Sequence, residues 1–231
     1  MKISKRAGIA PFYAMEILKT ANEMADGGAD IIHMETGEPV SGAPSRALEA
    51  AHAALDHAHL GYTEAQGNPI LRSRIAQHYA EYYGRQVAPT RITVSIGASG
   101  GLLLAFLAAF DVGDRVAMAE PSYPAYRNTL TALGMESVGL PAGPETRFQP
   151  TVKLLQTLKE PIQGLIISSP SNPTGTMIPR DEFKAVAKYC DEEGIRIISD
   201  EIYHGITYGE RAETILAYSN SAIVANGFSK Y

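Results

Sequence analysis

An amide, a carboxylate and a phenol stand where an α/β protein could do chemistry. Asn172 follows the apolar run 164–167, Asp200 follows the apolar run 195–198, and Tyr203 comes three residues later. Both runs are short and bounded by turn residues, as buried strands are. Between them, residues 179–193 carry Phe183, Val186, Ala187 and Cys190 at helical spacing, with acids near the start and Gly194 as a stop. Strand, helix, strand at this length is a βαβ unit, which predicts parallel strands. Both strands then end at one edge of the sheet, where open α/β sheets bind ligands. Asn172 and Asp200 would converge on one crevice there. Singly, Asp200 also reads as a turn former or helix cap and Asn172 as a turn residue before Pro173. Their pairing, with Tyr203 beside them, points to a site.

Three further stretches could serve a ligand. Gly97-Ala-Ser-Gly-Gly101 leads into the apolar run 102–110. A glycine- and serine-rich turn at a helix N-terminus offers free backbone N–H groups and the positive end of the helix dipole to an anion. It lacks the Gly-x-Gly-x-x-Gly pattern and the P-loop lysine, and tight packing of the turn is an equal reading. Tyr123 lies between two prolines after the predicted strand 115–119, placed to stack on a planar ligand or to pack. Gly37, in Glu35-Thr-Gly-Glu-Pro39, would let a ligand approach the backbone, or simply turn the chain.

The remaining elements must position these groups. Helices are predicted over 11–27, over 45–59 with Ser45 as cap, over 68–83 opened by Asn68, over 102–110, over 129–134 and over 151–158. Residues 91–96 alternate like a strand, 31–34 form a short apolar run, and 135–140 and 221–225 read as strands. Tyr62, in the loop 61–69, fits ordinary packing. His52, His57 and His59 are spaced five and two apart, which is not the i, i+4 pairing that sets two metal ligands on one helix face.

Bulk composition narrows the class. Net charge is −5, from 20 basic and 25 acidic residues, which argues against a nucleic-acid or anionic-membrane binder. The longest apolar stretch, 102–110, is far short of the roughly 20 residues that span a bilayer. Cys190 is the only cysteine, so neither an internal disulfide nor a cysteine metal site is available. The basic N-terminus lacks a following apolar signal core, and a cytoplasmic location is expected.

Ser-Pro-Ser-Asn-Pro-Thr-Gly (169–175), Ser-Asp-Glu-Ile-Tyr (199–203) and Asn-Gly-Phe-Ser-Lys (226–230), in this order and spacing, resemble the class I/II aminotransferases, fold-type I enzymes of pyridoxal phosphate. Gly-Glu-Pro (37–39), Gly-Tyr-Thr (61–63), Gly-Ala-Ser-Gly (97–100) and Pro-Ser-Tyr-Pro (121–124) fit the same pattern, and the likeness covers essentially the whole chain. It implies a three-layer α/β/α fold with a mainly parallel mixed sheet. Residues 1–40 would be an N-terminal arm and the start of a small domain, and 41–231 the large cofactor domain.

The resemblance also implies roles. Lys230 would form the Schiff base with the aldehyde of pyridoxal 5'-phosphate and then move a proton. Asp200 would pair with the pyridine nitrogen. Asn172 and Tyr203 would bond the ring hydroxyl oxygen, with Asn172 also near the substrate carboxylate, and Tyr123 would stack on the ring. Ala98, Ser99 and Gly100 would cradle the phosphate, with Ser229 or the Gly227 backbone adding a contact. Tyr62 would reach the phosphate of a neighbouring subunit, implying a homodimer, and Gly37 would lie beside the substrate carboxylate. Without the other motifs, Lys230 reads as a surface lysine.

Family members continue past this lysine, so the residues are expected to belong to a longer polypeptide and to be inactive alone. The expected reaction moves an amino group between an amino acid and a 2-oxo acid. A carbon–sulfur lyase or ring-closing synthase would share nearly every motif. An aminotransferase-like regulatory domain would place a helix-turn-helix ahead of residue 12, and a nucleotide-dependent oxidoreductase would show its glycine fingerprint after the first strand.

Overall fold

Apolar runs separated by helical stretches fold into a parallel sheet in the computed structural model, which describes residues 1–39, 41–57 and 60–230. The strands are β1 (Arg115–Glu120), β2 (Glu136–Pro141), β3 (Gly164–Ser168), β4 (Arg196–Asp200) and β5 (Ile223–Ala225). Their order is β2-β1-β3-β4-β5, and every pairing is parallel. Among the described residues the sheet is therefore parallel and not mixed. The helices are α1 (Tyr13–Asp26), α2 (Ser45–His57), α3 (Pro69–Tyr83), α4 (Gly97–Ala109), α5 (Pro124–Leu133), α6 (Val152–Leu155) and α7 (Arg180–Glu192). No helix among the described residues is long and apolar enough to cross a membrane.

Alternation along each strand divides the apolar side chains between two faces. Leu165, Ile167 and Ile197 pack with Leu155, Phe183, Val186 and Cys190 of α6 and α7. Val116, Met118, Ile166 and Ile198 pack with Phe106, Tyr126 and Leu130 of α4 and α5. Each fully buried aliphatic side chain contributes about 1.5–3 kcal/mol, so the two faces together hold the layers. The three-layer α/β/α arrangement follows.

The chain leaves β1 for β2 on one side, then crosses back to β3 on the other. The carboxyl ends of β1 and β3 thus flank a reversal point, where parallel sheets leave a crevice.

Several boundaries differ from the sequence reading for local reasons. The glycine-rich stretch 97–101 is the first turn of α4, not a loop before it, so the helix starts at Gly97. Residues 92–96 form no ladder; Val94 N–H bonds Gln66 O at 2.9 Å, and the alternation reflects a half-buried extended segment. The apolar run 31–34 stays outside the sheet, with Ile32 and Met34 exposed. Ser45 is the first residue of α2, not its cap, and the Pro44 carbonyl takes the Ala47 and Leu48 amides. α1 begins at Tyr13, two residues after Pro11. Asn68 does cap α3, accepting from Ile70 N–H at 2.8 Å. His59, the predicted end of α2, lies outside the described residues.

Gly164 opens β3 directly beneath the Phe110 ring, and a methyl group added there would sit 2.3 Å from that ring and 3.2 Å from Val116. Both neighbours are buried. We expect Gly164→Ala to cost about 1–3 kcal/mol through overpacking. Denaturant unfolding reads this as a lower midpoint; an unchanged midpoint would mean the ring yields freely.

Candidate active site

Because the strands are parallel, the segments leaving β1, β3, β4 and β5 all emerge at one edge. Asp200 is the last residue of β4, in register between Ser168 of β3 and Ala225 of β5. It shares its parity with Ile198, so its side chain turns to the face covered by α5. There the Tyr126 hydroxyl donates to Asp200 Oδ2 at 2.6 Å, and Ile202 N–H donates to Oδ1 at 3.2 Å. Asp200 is 5% exposed, and burial pushes its carboxyl above the ordinary range, with the Tyr126 and Ile202 hydrogen bonds pulling it partly back. Two oxygens carry about four acceptor positions, so the carboxylate can take another donor. Among the described residues no Lys, Arg or His pairs with it.

Near this group the structure gathers Tyr123, Tyr203 and Asn172. Asn172 Nδ2 donates to the Tyr203 hydroxyl at 3.4 Å. Tyr123 meets Tyr126 edge-on at 5.4 Å between ring centroids, and Phe12 meets Tyr123 edge-on at the same distance. Burial raises the Tyr123 and Tyr203 phenols, and the Asp200 charge raises both further, which marks them as its neighbours. Lys230 lies five residues past β5, and its Nζ donates to the Gly37 carbonyl at 2.6 Å, tying the segment after β5 to the loop after α1. Ala98, Ser99 and Gly100 form the first turn of α4, whose N-terminus has no side-chain cap, and α4 packs along β5. Ser229 and Tyr62 are exposed and stand outside the hydrogen-bonded group.

The Asn172 loop is braced from beneath. Ser171 N–H bonds Thr176 O at 2.9 Å, and Gly175 N–H bonds Ser171 O at 2.7 Å. The buried Gln149 amide donates to Thr176 O at 2.7 Å and Ser168 O at 3.2 Å. The Asn172–Pro173 peptide is cis.

Three contributors went unnoticed in the sequence. Tyr126 is three residues past Tyr123 on a helix opened by Pro124, a spacing that puts both on one face. Glu201, adjacent to Asp200, falls on the opposite face by the period of two. Its Oε1 accepts from Ser199 and Thr214 hydroxyls at 3.1 Å and from Ile215 N–H at 2.9 Å, while Oε2 is buried without a partner among the described residues. Burial pushes its carboxyl up to about 7. His204 lies 3.7 Å away from Oε2. Its Nε2 bonds the Ser169 carbonyl at 3.0 Å, so that nitrogen carries the hydrogen, and Nδ1 accepts from the Tyr83 hydroxyl at 2.8 Å. Burial lowers His204 to about 4, so the ring is neutral and the contact with Glu201 is not an ion pair.

A model of "Aminotransferase class I and II" matches residues 29–231. The chain belongs to this family. It is 47% identical over 232 residues to the valine–pyruvate aminotransferase of Mycobacterium tuberculosis, covering 100% of this chain and 60% of that protein. Its fold matches the crystal structure of an aminotransferase from Mycobacterium tuberculosis with a TM-score of 0.97 at 46% identity, again over 100% and 60% of the two chains. The Thermus thermophilus aspartate aminotransferase solved with maleate matches with a TM-score of 0.95 at 27% identity, over 100% and 61%. The chain thus spans about 60% of the length of these relatives. The matches also agree with the fold-type I architecture of the sheet.

The two neutralised groups beside Asp200 give a pH signature. An acid raised from 4.5 when unfolded to about 7 when folded stabilises the fold below pH 4.5, and that contribution is lost as pH rises through 7. His204, lowered from 6.5 to about 4, opposes this over much of the same range, its contribution being lost as pH falls. The parent curve should therefore be flatter than that of Glu201→Gln. We expect the parent to gain stability relative to Glu201→Gln as pH is lowered from 7 to 4.5. A difference in melting temperature that does not change with pH would show that Glu201 is ionised throughout.

Proposed function

We propose that this chain forms the cofactor-holding part of a pyridoxal 5'-phosphate-dependent aminotransferase that moves an amino group between an amino acid and a 2-oxo acid. The observation that carries the reading is Asp200: a buried carboxylate at the carboxyl edge of a parallel sheet, held by Tyr126 and Ile202, with acceptor capacity left for an N–H group. Burial without a cationic partner is unfavourable, so a protonated ring nitrogen suits this oxygen pair. When bound, the cofactor supplies an aldehyde that takes amines covalently and a pyridine ring that accepts electrons from the substrate carbon.

The chain's own residues divide the remaining work. Asp200 holds the proton on the ring nitrogen. Lys230 would supply the amine for the aldehyde and a site for a proton. Asn172 and Tyr203, already hydrogen-bonded to each other, donate towards the ring oxygen. Tyr123 would cover one ring face. The uncapped amides of Ala98, Ser99 and Gly100 receive the phosphate at the positive end of α4, with Ser229 or the Gly227 backbone adding a donor. Gly37 leaves room for the substrate carboxylate, since beyond its own and its chain neighbours' atoms none of the described ones lies within 4 Å of where a side chain would start.

The fully exposed Tyr62, with Leu103, Leu104 and Leu107 exposed on α4, supports a homodimer in which Tyr62 reaches the neighbouring phosphate. Residues 1–40 act as arm and start of a small domain, 41–231 as the large domain, in a cytoplasmic enzyme.

Borohydride reduction followed by peptide mapping should place the pyridoxyl label on Lys230; a label on another lysine would overturn the assignment. Asp200→Ala should retain most cofactor but lose several orders of magnitude in rate, on the order of 4 kcal/mol or more in barrier. Half-transamination at a near-normal rate in that variant would refute the role of Asp200.

A further inference from the structure

The loop ahead of α6 contains two consecutive residues with left-handed backbone, Arg147 at φ 57° and Phe148 at φ 57°. Bulky side chains rarely adopt this conformation, and it persists where surrounding contacts impose it. Those contacts lead to the candidate site. Phe148 N–H bonds Gly143 O at 2.8 Å, and the Arg147 carbonyl accepts from Thr176 Oγ1 at 2.6 Å. Thr176 is the residue that Gln149 clamps and that closes the Asn172 loop. The loop bearing Arg147 is thereby fastened to the loop bearing Asn172.

A cleft of about 610 Å³ opens between them, with Gly37, Asn172, Tyr203 and Tyr208 on its walls. Arg147 is the one charged side chain lining it among the described residues. Its guanidinium forms no ion pair among those residues. On its other side Arg147 borders a second cleft, where Glu213 is paired to Arg180 at 3.2 Å and Glu210 completes the acidic lining. Neither acid lines the first cleft.

We propose that Arg147 binds a carboxylate of the substrate in this cleft. The inference rests on the reading of Asn172 and Tyr203 as residues on the cofactor's side. A guanidinium presents a planar fork that matches a carboxylate bidentately. Within this cleft no other charged lining residue among those described competes for the fork. The braced left-handed backbone fixes where the side chain starts, which reduces the ordering required when the anion arrives. The carboxylate has two possible sources: the group next to the reacting carbon, or a second one on the substrate side chain.

Calorimetric titration of succinate, with two carboxylates, and of butyrate, with one, separates the sources without turnover. The whole protein is measured with and without pyridoxal 5'-phosphate. Arg147→Gly removes the guanidinium while favouring the left-handed backbone, so it should fold. Arg147→Lys keeps the charge but loses the fork. We expect Arg147→Gly to weaken succinate on the order of tenfold, with Arg147→Lys intermediate. Parallel loss of butyrate binding assigns the group next to the reacting carbon; retained butyrate binding assigns the second. Unchanged succinate binding in Arg147→Gly, or no binding of either anion by the parent, overturns the proposal. Borohydride labelling of Lys230 on the same samples keeps the two readings apart. A parent that fails to label removes the proposed function, while titration without cofactor still judges Arg147.

Discussion

A carboxylate taken out of water at the end of a strand constrains everything around it. Asp200 needs donors, because an ionised carboxylate without them is far too costly to bury. It finds one in the amide two residues on and one in Tyr126, 74 positions earlier in the chain. The second donor fixes α5 against the sheet at a defined height, since a phenol has no other way to reach 2.6 Å. Tyr123, on the turn that opens α5, is placed by the same contact. One hydrogen bond thus links the β1 exit, the β4 exit and the helix between β1 and β2.

The neighbouring Glu201 meets the same constraint by the opposite solution. The strand's period of two sends it to the face carrying Thr214 and Ile215, where three donors converge on one oxygen and, among the described residues, none on the other. One-sided solvation does not offset burial, so the group is held near neutrality, with its pKa at about 7. Two ionised carboxylates in sequence would repel each other across a low-dielectric edge. Burial raises both carboxyls, and the Asp200 charge is a minor cause of the Glu201 shift.

Much of this was legible from local pattern. Parallel pairing of β3 and β4 followed from the βαβ spacing, and with it the convergence of Asn172 and Asp200 on one edge. The helix α7 and its Gly194 stop followed from periodicity and from the left-handed conformation that glycine adopts there at φ 71°. What escaped is non-local or depends on register. Tyr126 lay in plain view beside Tyr123, but its partner is decided by the height of α5 over the sheet. Glu201 and His204 required knowing which face follows a strand that has just ended. The start of α4 at Gly97 ran against propensity: three glycines in the first five positions disfavour helix, yet α4 keeps them because its apolar body, with Leu102 and Phe106 buried, supplies the stability. Residues 92–96 alternated correctly, but alternation reports burial, and no neighbouring strand offers a ladder.

The energy of the fold is unevenly distributed, and the site sits on the boundary. β1, β3 and β4 are buried on both faces, whereas α1 and α2 contain no buried residue among those described. The N-terminal segment reaches the sheet's edge through a few contacts: Phe12 against Tyr123, Asn128 to the Ala10 carbonyl at 3.4 Å, and Lys230 to the Gly37 carbonyl. Segments with little buried area open at lower free energy than the core they rest on. Gly37 and Lys230 are therefore joined by a bond that can break without disturbing Asp200, Tyr126 or the Gln149 clamp. The same bond holds the Lys230 side chain in place at 2.6 Å from a segment that is itself lightly anchored to the core.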